Sequence, residues 1–180
     1  PWRRGLSPER AGASPGRLAA VAGGAAGEVL LFRIPSLLLR RRIPVPGIAC
    51  QAVFPGEGLA VLCVVENGEM HTLLGYAGKN RDAVEQVLML PGLPGALEVL
   101  PDGTLLAGSV GTLARVSLWP RQTIWRSDVP GLPGRLSVRG DQVLVSDPLL
   151  GQVTLMNWRR PREQQVIYRG GEMAAVFQQP

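Results

Sequence analysis

The sequence predicts an all-β chain of repeated four-stranded units, on three observations. Pro-Gly-Leu-Pro-Gly occurs twice, at 91–95 and 130–134, which puts the copies 39 residues apart. Gly27, Gly68, Gly111 and Gly151 each open a run of large and branched apolar residues, at intervals of 41, 43 and 40. The 23 glycines and 16 prolines supply the tight turns that many short strands need. A repeat of about 40 residues built from short strands is the mark of a β-propeller blade. The expected fold is therefore a propeller of four-stranded antiparallel blades, about four of them in this chain.

The units divide as 17–47, 48–93, 94–132 and 133–171, with a last strand in 172–177 and residues 1–16 as an N-terminal extension or remnant strand. The first unit has strands at 18–21, 28–32 and 37–43. The second has them at 49–54, 59–65, 69–74 and 83–90. The third has 96–100, 105–107, 112–118 and 122–126, and the fourth 136–139, 143–145, 152–156 and 164–168. Each run is rich in Val, Ile, Leu or aromatic residues and is bounded by turn formers. Residues 79–90 carry a competing pattern, because Val84, Val87 and Leu88 have helical spacing and Asn80 or Asp82 suits a cap. Repeat position argues for a strand. Two closures of the set are open. Strand 173–177 completes the first blade and gives a closed four-bladed ring, or the chain is a segment of a larger ring with 2–6 as a remnant first strand. The larger ring is the expectation carried forward. Closure removes exposed sheet edges.

The net charge of +5 is unevenly placed. Residues 1–42 hold eight arginines against Glu9 and Glu28, so the rest of the chain is close to neutral. With Lys79 the single lysine, the excess reads as solvated strand edges in an arginine-rich composition. No interleaving of aromatic and basic residues accompanies it, which argues against a nucleic-acid partner. No apolar run approaches the roughly 20 residues that cross a bilayer as a helix.

Val145-Ser146-Asp147-Pro148-Leu149-Leu150-Gly151-Gln152-Val153 resembles the core of an NHL-type repeat, with an aspartate after the second strand. Leu30-Leu31-Phe32-Arg33-Ile34-Pro35-Ser36-Leu37 resembles the third-to-fourth strand turn of bacterial surface-type propeller repeats. The Gly-His and Trp-Asp dipeptides of WD40 blades are missing. The resemblance spans about 17–177 and implies a disc whose channel and loop faces bind proteins or small ligands. Some relatives are metal-dependent lactonases and many are not enzymes, so fold alone does not choose.

The candidate ligand-face residues are Glu66, Asn67, Ser109 and Asp147, which follow second strands and so share one loop face. A lactonase-like hydrolase would use Glu66 and Asp147 with a divalent cation, but two acidic loops fall short of the 6–8 oxygens of a calcium site. Asp147 and Asn67 also suit the stabilisation of their own turns. His71 is the one histidine and has no partner set for zinc. Ala107-Gly108-Ser109-Val110-Gly111 misses the nucleophile elbow at its first position. Cys50 and Cys63 flank the 55–58 turn. One hairpin register puts them opposite each other within disulfide reach, and a one-residue shift pairs Cys50 with Leu62. Two reduced cysteines and a bridge both stay open. Trp119 and Trp158 end equivalent strands and are expected to pack between blades. The expectation is thus a non-enzymatic binding or scaffold domain for a protein or small ligand, with no cofactor. The alternatives are the lactonase-like hydrolase and a secreted or envelope structural module, and a periplasmic or extracellular location is favoured over the cytoplasm.

Overall fold

The computed structural model describes residues 11–13, 18–23 and 26–170, and these contain sixteen strands and no helix. The strands form four antiparallel four-stranded sheets taken in chain order. The first sheet holds β1 (Ala11–Ala13), β2 (Leu18–Ala22), β3 (Glu28–Arg33) and β4 (Leu38–Pro44). The second holds β5 (Ile48–Val53), β6 (Leu59–Asn67), β7 (Glu69–Ala77) and β8 (Glu85–Pro91). The third holds β9 (Pro94–Val99), β10 (Leu105–Ser109), β11 (Thr112–Leu118) and β12 (Arg121–Asp128). The fourth holds β13 (Arg135–Arg139), β14 (Gln142–Asp147), β15 (Gln152–Asn157) and β16 (Arg160–Arg169). In every sheet each strand pairs with its neighbours in sequence, as a blade requires.

One detail differs from the sequence reading, and one open alternative resolves as repeat position argued. The first-strand place of the first blade is taken by β1, in which Ala11 pairs with Val21 and Ala13 with Ala19. The candidates at 2–6 and 173–177 lie outside the described residues. The helical spacing within 79–90 is not used: a loop leads into β8, because a fourth strand completes the sheet beside β7.

The chain forms two compact units, 1–89 and 90–180. In the first, Ala20, Val29, Ile43, Ala49, Ala52, Leu59 and Val61 form one buried cluster shared by both sheets. The alanines keep the sheets close. In the second, Ala96, Leu106, Leu113, Leu136, Val143, Met156 and Trp158 do the same, with Trp125 and Val138 packed against them. Each fully buried large side chain contributes about 1.5–3 kcal/mol. Burial on both faces explains the near-continuous apolar runs at 59–64 and 105–107. The outer strands β4, β12 and β16 are mostly exposed and carry eight of the fourteen arginines among the described residues.

Candidate functional site

In the unit 90–180, the linker from β12 to β13 carries the second Pro-Gly-Leu-Pro-Gly copy, and the first copy runs from β8 into β9. The two copies touch: a Cβ on Gly95 would collide with the carbonyl of Pro133, so only glycine fits there. Gly131 has φ +76°, and a Cβ on it would fall within the Asp147 carboxylate. The carbonyl of Gly131 accepts the N–H of Gly111 at 2.7 Å, and that of Leu93 accepts the N–H of Val110 at 2.9 Å. Linkers and second-to-third strand loops are therefore bonded into one surface.

Asp147 lies beneath that surface. It is 4% exposed, and its Oδ1 accepts the N–H groups of Leu149 (2.9 Å) and Leu150 (3.1 Å), which fixes the loop before β15. Its Oδ2 has no hydrogen-bond partner among the described residues, and Asp147 lines a cavity of about 20 Å³ together with Gln152, Thr154 and Gln164. That volume holds about one water. Ser109, fully buried at the end of β10, also has an unpartnered hydroxyl. In the unit 1–89, Glu66 and Asn67 are exposed ladder residues at the end of β6, opposite Met70 and Glu69. Asp147 thus serves its own loop, while Glu66 and Asn67 stand in solvent. Among the described residues no three His, Cys, Asp or Glu side chains gather as a metal-ligand group. His71 is half-buried in β7 opposite Val65.

Cys50 and Cys63 are not joined in a disulfide. Neither hairpin register considered from sequence holds throughout. Ala49 pairs with Cys63 and Gln51 with Leu62, so Cys50 is the extra residue of a β-bulge. Burial, with Cys50 adding a smaller effect, pushes the Cys63 thiol up to about 12.

Bulges also organise the blade junctions. Pairing of third and fourth strands shifts between Leu31 and Phe32, between Arg115 and Val116, and between Val153 and Thr154. The extra residues are Arg40, Ile124 and Ile167, and the residue after each is Arg41, Trp125 and Tyr168. Arg41 reaches across to the loop before β8. It donates to the carbonyls of Lys79 (3.0 Å) and Arg81 and pairs with Asp82 at 2.7 Å. Trp125, at the equivalent place, donates from Nε1 to the carbonyl of Trp158 at 3.0 Å. Outer strands therefore hold the next blade's third-to-fourth strand turn in both units. A periodicity reading cannot see a one-residue insertion, so this role was not legible.

Trp158 is fully buried and has two guanidinium groups over its ring. Arg115 and Arg159 each lie 4.5 Å from a Trp158 ring centroid, and Trp158 Nε1 donates to the Gly140 carbonyl at 2.8 Å. Asp102 and Asp141 hold the two arginines. Burial alone would raise the Asp102 carboxyl, but the Thr104 hydroxyl and N–H and the Arg115 charge outweigh it and hold the group below its ordinary value. Glu98, on the first strand of the same blade, is shifted the other way by burial, against one bond from the Val99 N–H. The matched tryptophan does not behave alike. Trp119 is 73% exposed, which corrects the expectation that both pack between blades. Trp158 is followed by Arg159, which closes the stack, whereas Trp119 is followed by Pro120 and leads out into solvent.

No family model matches the chain, and no curated protein matches it. Solved structures do. The β-propeller domain of Cps50 (Swd1) from Myceliophteria thermophila superposes with TM-score 0.67 at 15% identity, over 90% of this chain and 57% of that one. The fold is that of a β-propeller. BamB from Moraxella catarrhalis gives TM-score 0.56 at 13% identity, over 88% of this chain and 51% of its own. A functionally unknown protein from Desulfotomaculum acetoxidans gives 0.62 at 13%, over 86% and 54%. The chain spans about half the length of these structures. Identities this low speak for the fold alone.

Proposed function

We propose that the chain is a non-enzymatic propeller binding domain that docks a protein through the linker-loop face of the unit 90–180. The observation that carries this is a set of large apolar side chains held out on that face. Leu93 is 44% exposed, Val110 37%, Leu149 65% and Leu150 51%. Their loops are tied by the Val110–Leu93 and Gly111–Gly131 backbone bonds and by Asp147. A rigid apolar surface binds at low cost in conformational entropy, and grouped exposed apolar residues mark interaction sites. The propeller neighbours are consistent with a scaffold or binding role. We read the repeat more finely as NHL-type on residues 145–153, where the aspartate after the second strand stabilises its own loop. That role for Asp147 supports binding over lactone hydrolysis.

The test is retention of a partner by the full chain and by a Leu149→Asp/Leu150→Asp variant. A protein held by the wild type and lost by the variant, at unchanged thermal midpoint, supports the proposal. Equal retention by both overturns it, as does cation-dependent lactone turnover lost in Asp147→Ala.

A further inference from the structure

In the unit 1–89, on the side of the blades away from their linkers, a groove of about 700 Å³ opens between the first two sheets. Its floor is apolar: Leu31 and Ile43 come from the first sheet, and Phe54 and Leu59 from the second. Its edge is cationic, with Arg40, Arg41 and Lys79 against one acid, Glu57. Two of the three cations are engaged. Arg41 is held by Asp82 and the carbonyls before β8, and Lys79 pairs with Glu57 at 2.6 Å. Arg40 is exposed, and among the described residues it has no ion pair or hydrogen bond.

The placement of Arg40 is particular. It is the extra residue of the β4 bulge, and a bulge breaks the strict alternation of side chains and re-aims the inserted one. Ile124 and Ile167 occupy the same place in the third and fourth blades, so this blade alone among those three puts a guanidinium there. Arg40 and its neighbour Arg41 both line the groove as a result. The volume falls in the range of small-molecule sites, which combine an apolar lining with a few polar groups that orient the ligand. A free guanidinium offers two parallel N–H donors, which match a carboxylate.

We propose that this groove binds a small amphipathic carboxylate, its apolar body on Phe54, Leu31 and Ile43 and its carboxylate on Arg40. The site is independent of the protein-docking face and does not rest on that reading.

Decanoate titrated into the full chain by calorimetry is the probe. The proposal expects saturable binding of one decanoate per chain, with decanol and decylamine about 10-fold weaker or worse. Arg40→Glu is expected to abolish decanoate binding and to admit decylamine, whereas Arg40→Lys retains decanoate within a few-fold. Phe54→Ala weakens binding while leaving the preference for the carboxylate. Arg40 is exposed on an outer strand, so its variants keep the wild-type melting temperature, and Arg40→Gln serves where charge reversal lowers it. The proposal is overturned if the wild type does not bind decanoate saturably. It is also overturned if decanol binds as tightly, or if Arg40→Glu and Arg40→Gln bind decanoate like the wild type.

Discussion

Replacing Trp158 by alanine removes the side chain that joins the last two blades. The residue is fully buried within the apolar cluster of the unit 90–180. Loss of a buried tryptophan costs about 3–5 kcal/mol in transfer and cavity terms. The stack with Arg115, whose side chain is 13% exposed, adds about 1 kcal/mol. At about 2–4 °C per kcal/mol for a chain of this size, the melting temperature should fall by roughly 8–24 °C. Trp119→Ala is the internal control, because the two positions match in the repeat. Trp119 is 73% exposed, and an exposed substitution stays within about 0.5 kcal/mol, or under about 2 °C. Thermal melts of both variants by near-ultraviolet circular dichroism decide the matter. Equal shifts, or a Trp158→Ala shift below about 3 °C, refute the inter-blade role of Trp158.

Gly131→Ala should destabilise by about 2 kcal/mol or more in urea melts, because the left-handed backbone and the Asp147 carboxylate both oppose a Cβ. Asp102 has a depressed carboxyl, so its contribution is present above its ordinary value of 3.8 and is lost as pH falls through the lower folded value. Asp102→Asn should therefore be less stable than wild type at pH 7, and the gap should close in strong acid. Glu98 runs the opposite way. Its penalty grows as pH rises above its ordinary value of 4.5, so Glu98→Gln should be the more stable protein at pH 7 and equal below about pH 4. With the Cys63 thiol at about 12, only about one molecule in ten thousand carries that thiolate at pH 8. Alkylation of native protein should label Cys50 first and Cys63 only on unfolding, as peptide mass mapping would read.

The blade pattern was legible because it rests on turn chemistry and apolar runs, which local sequence carries directly. The glycines at 27, 68, 111 and 151 all adopt positive φ where third strands begin, as their spacing implied. The bulges were not legible, since one inserted residue leaves composition and period unchanged. Three features depended on them: the separation of Cys50 from the ladder, the reach of Arg41 and Trp125, and the setting of Arg40. The two tryptophans show a second limit. Their spacing is that of the repeat, but burial depends on the next residue and on the facing blade. Asp147 and Ser109 were found from their place after second strands, yet their burial beneath the linkers needed the approach of the Pro-Gly-Leu-Pro-Gly copy to be seen. The exposure of Leu93, Val110, Leu149 and Leu150 is not legible in sequence, because an apolar residue beside a turn reads as part of the neighbouring strand.

The docking face is tested most directly by site-specific photocrosslinking of the full chain in its native extract. A photoreactive side chain at position 149, on the linker-loop face, should give a discrete protein adduct. The same group at position 124, on an outer strand where Ile124 is 41% exposed, should not. Adducts of equal yield at both positions, or none at 149, would contradict the account.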